Sequence, residues 1–107
     1  PMLDARRMEV YTQLVTETRK TVWKLQSKIL NAEMFDEFKH PIYIFGNGAT
    51  KFKLITRSPN LFFIDKIEPT ADSMGAIAFK KFQNQNFVDL VCHEPNYLKE
   101  WQSKVAK

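Results

Sequence analysis

Pro41-Ile42-Tyr43-Ile44-Phe45-Gly46-Asn47-Gly48-Ala49 is the stretch that decides the fold class. A continuous apolar run meets a two-glycine turn. Ala49 to Ile55 then reads as a short helix, with Phe52 and Ile55 on one side. Uninterrupted apolar runs suit strands buried on both faces, as in parallel sheets. The same pattern recurs downstream. Ser58-Pro59-Asn60 is a loop, and Leu61-Phe62-Phe63-Ile64 is a second run of this kind. Thr70 then caps a helix in which Ala71, Met74, Ala78 and Phe82 form an apolar stripe. Asp72 in its first turn suits the helix dipole, and Asn84-Gln85-Asn86 ends it.

Upstream of Pro41 the period is two. Met8, Val10, Thr12 and Leu14 alternate with Glu9, Tyr11, Gln13 and Val15. Trp23, Leu25, Ser27 and Ile29 alternate with Lys24, Gln26 and Lys28. The polar stretch Thr16 to Lys20 joins the two runs, which is a hairpin. Pro1 to Ala5 reads as an earlier short strand that turns at Arg6-Arg7, completing a three-stranded antiparallel meander with one polar face. Asn31 reads as the N-cap of a helix carrying Met34, Phe35 and Phe38. The tail after Phe87 holds a short apolar segment to Cys92 and then Glu94-Pro95-Asn96-Tyr97-Leu98. The expected order is β-β-β-α-β-α-β-α. That order predicts an α/β fold of the ribonuclease-H-like type, half of an actin-like ATPase, with a mixed five-stranded sheet and helices on both faces.

Composition fits one domain over residues 1–107. Apolar residues make up 44% of the chain and charged residues 26%, ordinary values for a globular protein. A single cysteine, Cys92, rules out an internal disulfide and points to a reducing compartment, here the cytoplasm. No apolar run approaches the about 18 residues of a membrane span, and the first residues lack a signal-peptide core. Sixteen basic and 12 acidic residues give a net charge of +4. The basic residues are spread along the chain, which reads as a solvated surface rather than a nucleic-acid footprint.

Asp4 occupies the first-strand position of a two-metal nuclease. Such chemistry needs several carboxylates converging on the ions. Pro41 to Gly48 offers none, although Asp65 and Asp72 follow. Gly46-Asn47-Gly48 opens a helix where amides can hold an anion, but Lys51 stands where a dinucleotide fingerprint needs glycine. Actin-like ATPases place glycine after the first-strand Asp, and here the turn is Asp4-Ala5-Arg6-Arg7. His93-Glu94 begins like a zinc-peptidase helix, yet Tyr97 replaces the second His and Pro95 would break the helix. His40 is remote in sequence. Cys92 and His93 are adjacent, so on an extended segment they face opposite ways. These residues therefore read as structural, with no catalytic residue, no cofactor and no metal. Phe87, Tyr97, Leu98 and Trp101 form an aromatic tail suited either to packing or to a partner.

Asp4-Ala5-Arg6-Arg7-Met8-Glu9-Val10-Tyr11 resembles the D-A-R-x-x-E-V-Y opening of the second half of the TsaB family. Phe45-Gly46-Asn47-Gly48-Ala49 resembles a family turn after a buried strand. Pro69-Thr70-Ala71-Asp72-Ser73-Met74 resembles a P-[ST]-A-x-x-M helix start. Glu94-Pro95-Asn96-Tyr97-Leu98-Lys99 resembles the family's E-P-x-Y-L-[KR]. The motifs occur in order and span nearly the whole chain. The resemblance implies an actin-like fold without catalysis. It implies a scaffold that dimerises with TsaD, the enzyme that installs threonylcarbamoyl on adenosine 37 of certain tRNAs, with the ATPase TsaE as third partner. It also implies that the chain is the second half of a two-lobed protein, touching tRNA only indirectly and membrane not at all. A homodimer through surface left open by the first half is a further expectation. In this reading Arg6 and Glu9 order the opening hairpin beside Tyr11. Asp4, Gly46, Asn47 and Gly48 line the interlobe cleft. Thr70 and Met74 begin the long helix, and Glu94, Pro95, Tyr97 and Leu98 close the C-terminal edge. The older glycoprotease label of the family finds no metal ligands here. The competing expectations are a degenerate ribonuclease-H-like nuclease or nucleotide hydrolase, and a small nucleic-acid-binding module.

Overall fold

The computed structural model describes residues 1–100. They divide into two compact units, one of Pro1–Glu68 and the other beginning at Pro69. The first holds β1 (Met2–Asp4), β2 (Glu9–Val15), β3 (Thr21–Ile29), β4 (Ile42–Phe45), α1 (Ala49–Lys53) and β5 (Leu61–Ile64). The second holds α2 (Ala71–Gln83).

β1, β2 and β3 form the expected antiparallel meander. The Thr16–Lys20 loop closes its hairpin, with the Thr16 N–H donating to the Lys20 carbonyl and Arg19 turning at φ 64°. The alternation expected along β3 does not run through. Thr12 pairs with Gln26, but Leu14 pairs with Trp23 and Val15 with Thr21, so β3 carries extra residues at bulges. The bulges turn Trp23 onto the side of Val10 and Thr12, where it packs against the core. Ile29 is left 70% exposed.

β4 and β5 pair in parallel, in the register Ile42↔Leu61 to Phe45↔Ile64. Contrary to the both-faces expectation, only one face of this pair is buried. Ile42 and Ile44 enter the core, while Tyr43 and Phe62 stack on the open face, 5.6 Å apart and 62% and 48% exposed. The buried face is covered by Phe52 of α1 and by the segment before β4. Phe52 meets Phe35 edge-on at 5.6 Å and Phe63 at 6.1 Å.

That segment is not the helix expected from Asn31. It is a train of tight turns in which the N–H groups of Met34, Asp36 and Phe38 each reach back three residues. Asn31 does cap it, accepting from the Glu33 N–H at 3.2 Å. So short a run before Pro41 gains little from helix propagation, and successive turns let Met34 and Phe35 both point inward.

The strands form two sheets, β1-β2-β3 and β4-β5, and not one five-stranded ladder. β1 is three residues long, and turn residues occupy its free edge. Its Met2 carbonyl accepts from the Gly48 N–H at 2.9 Å, and its Asp4 N–H donates to Asn47 Oδ1 at 2.8 Å. A loop and a side chain thus take the hydrogen bonds that a fourth strand would take.

In the second unit, α2 begins at the expected cap. Thr70 Oγ1 accepts from the Ser73 N–H at 3.3 Å, and Asp72 lies in the first turn. None of its residues is buried. Cys92 and His93 follow a turn and do not lie on an extended segment. The N–H groups of Cys92 and His93 both donate to the Asp89 carbonyl in a turn. The Trp101 expectation lies outside the described residues.

Candidate functional site

Asp4, Gly46, Asn47 and Gly48 come together where the end of β1 meets the turn after β4. Gly46 has φ +107°, a conformation glycine adopts without steric cost. A Cβ there would lie 2.3 Å from the Met2 carbonyl oxygen. One on Gly48 would lie 2.8 Å from Val10 Cγ1 and 3.0 Å from the Leu3 carbonyl carbon. The glycines therefore serve close packing of the turn on β1. The Gly48 amide is already spent on Met2.

Arg6 and Arg7 turn the chain at φ 69° and 48°. The Glu9 N–H donates to the Arg6 carbonyl, and the Ala5 N–H to the Glu9 carbonyl. The Glu9 carboxylate accepts from Ser27 Oγ at 2.9 Å, tying the turn to β3. Tyr11 lies half-buried on β2 between Leu3 and Ser27. The structure thus joins the opening motif and the glycine turn.

The residue that locks this junction is Lys51, which sequence reasoning noticed only as a missing glycine. Its Nζ donates to Asp4 Oδ1 at 2.6 Å, to the Arg7 carbonyl at 2.8 Å and to the Glu9 carbonyl. An ammonium has three N–H donors, and these three oxygens match them. Asp4 Oδ1 also accepts from the Arg6 N–H at 2.9 Å. The Lys51 hydrogen bond, helped by the Arg6 amide, holds the Asp4 carboxyl below its ordinary value. A contact across 47 positions leaves no local pattern, so only the Ala49–Lys53 turn of helix shows how Lys51 reaches it.

Beside the junction, a recess of about 90 Å³ opens at the carboxyl ends of β4 and β5, bordered by Asn47, Thr50, Lys53, Asp65 and Lys66. Ligands of open α/β sheets bind at this end of the strands. Its volume is well below the roughly 300–1,000 Å³ of small-molecule sites. A larger open groove of about 660 Å³ lies between the turn train and the β5 approach, with Glu33, Asp36, Lys39 and Arg57 around Phe38 and Ile55. Two acidic and two basic side chains line it, and neither sign dominates.

The remaining predicted residues lie in the second unit. Thr70 caps α2, Met74 is exposed on it, and Glu94, Pro95 and Tyr97 are exposed in irregular chain, with Leu98 half-buried. Among the described residues no three His, Cys, Asp or Glu side chains converge as a metal site would need. Among them, too, no helix is long and apolar enough to cross a membrane.

The fold defines a small α/β protein that combines an antiparallel three-stranded sheet with a parallel pair. Comparison with protein-family models, curated proteins and solved structures found no match.

Proposed function

We propose that the chain is the second half of a TsaB-like scaffold, a cytoplasmic, non-catalytic subunit that supports threonylcarbamoyl transfer to adenosine 37 of tRNA. In this reading a TsaD-like subunit carries the chemistry and a TsaE-like ATPase is the third member. The observation that carries the reading is the junction of Asp4-Ala5-Arg6-Arg7 with Gly46-Asn47-Gly48. Two motifs that carry the resemblance are far apart in sequence, yet they are joined by the Asp4 N–H to Asn47 Oδ1 bond. The Gly48–Met2 hydrogen bond supports a ribonuclease-H-like order in which β1 lies between β2 and β4. Lys51 also weighs against the nuclease alternative, because it engages the one carboxylate that a first-strand metal site would use.

Tagging the complete gene product and purifying it gently from its own cells tests the reading. Recovery of a TsaD-like protein supports the scaffold. Recovery of none, from cells that express one, removes it. The same experiment on residues 1–107 reports whether this half carries part of the contact.

A further inference from the structure

We propose that the oxygens of Asp4 Oδ1, Arg7 and Glu9 form a cation site that the chain fills with its own Lys51 ammonium. In the absence of that ammonium, the site takes a free cation of the same size and donor chemistry. Three observations carry the inference. One carboxylate and two carbonyl oxygens converge on a single point, with Nζ 2.6 Å from Asp4 Oδ1 and 2.8 Å from the Arg7 carbonyl. The Lys51 side chain is 21% exposed and that of Asp4 51%, so the lysine stem packs against the turn while the carboxylate faces solvent, where a free cation can reach it. The backbone at Arg6 and Arg7 is left-handed, a conformation that costs energy for L residues and persists where contacts hold it.

Hard cations are bound by such sets of carboxylate and carbonyl oxygens. Ammonium and potassium have nearly equal radii, so both fit the space. Of the two, ammonium reproduces the three N–H donations that Lys51 makes. The inference rests on this geometry alone and stands whether or not the scaffold reading does. Its consequence is built-in competition. Lys51 competes with any metal for Asp4 Oδ1, and the opening turn is pinned to α1 without any added ion.

Chemical rescue tests it. Lys51→Ala removes one donor from each of the three oxygens, of which Asp4 Oδ1 keeps the Arg6 N–H and the Glu9 carbonyl keeps the Ala5 N–H, and the variant's melting temperature should fall by about 5 °C. Ammonium or methylammonium chloride should then raise the variant's melting temperature by several degrees beyond its effect on the unaltered chain. Tetramethylammonium chloride at equal ionic strength, which has no N–H, should not. Equal shifts with all three salts would overturn the proposal. Should Lys51→Ala not fold in plain buffer, Lys51→Met keeps the apolar stem and serves in the same comparison. A Lys51→Met chain whose stability matches the unaltered protein and ignores the salts would overturn it equally.

Discussion

At the scale of single residues, the junction of β1 with the glycine turn concentrates the constraints. Gly46→Ala would put a Cβ 2.3 Å from the Met2 carbonyl oxygen, at a backbone angle of +107°. Backbone strain and overpacking act together, and urea unfolding should show a loss of about 3 kcal/mol or more. Gly48→Val meets the Val10 side chain and the backbone of Leu3 and Asp4, so it should cost about 1–3 kcal/mol. Stability unchanged in either variant would mean that the turn does not pack on β1 as described. Asp4 adds a pH dependence. Its folded pKa lies below the ordinary 3.8, so ionised Asp4 favours the folded state above that value. The benefit is lost as pH falls through the lowered folded pKa. Melting curves of the protein and of Asp4→Asn should differ by a constant amount from neutral pH to about 5 and converge in stronger acid. A gap that widens on acidification would contradict the assignment.

At the scale of elements, β3 and α2 make opposite cases. β3 owes its core contact to its bulges. They bring the Trp23 ring flat onto Phe35 at 5.0 Å, with Phe38 edge-on at 5.6 Å and the Lys28 ammonium 3.9 Å from the ring centre. Trp23→Ala should cost about 3 kcal/mol, the low end for a core aromatic because the ring is half-buried. Chemical denaturation measures this, and a loss near zero would show that the bulges matter little. α2 has 13 residues, and its start is set by a term local to its own unit, the Thr70 cap. Thr70→Ala removes its cap and should cost about 1 kcal/mol of helix stability, read as a weaker far-ultraviolet helical signal. An unchanged signal would mean that something other than the cap holds α2.

At the scale of the molecule, the buried core among the described residues lies in the first unit. Met2, Val10, Leu30, Met34, Phe35, Ile42, Ile44, Ala49 and Phe52 are its members, and Trp23, Phe38, Leu61 and Phe63 pack around them. A chain ending at Glu68 should therefore unfold cooperatively, with a melting temperature within a few degrees of the full chain. Calorimetry checks this, and a broad transition without a peak would show that the core needs residues beyond Glu68.

The sequence by itself determined the local grammar of this protein. Period-two alternation located β2 and β3, continuous apolar runs located β4 and β5, and Thr70 marked the start of α2. Each of these signals is carried by neighbours in the chain, so each is legible without a fold. The tertiary structure alone decided the rest. It made turns of the Asn31–Phe38 segment, because burying Met34 and Phe35 together outweighed helical spacing. It bulged β3, left one face of β4 and β5 open, and spent the edge of β1 on Gly48 and Asn47. It also set Lys51 among the oxygens of Asp4, Arg7 and Glu9. These outcomes depend on groups tens of residues apart competing for the same buried space and the same hydrogen bonds, and no local pattern records that competition.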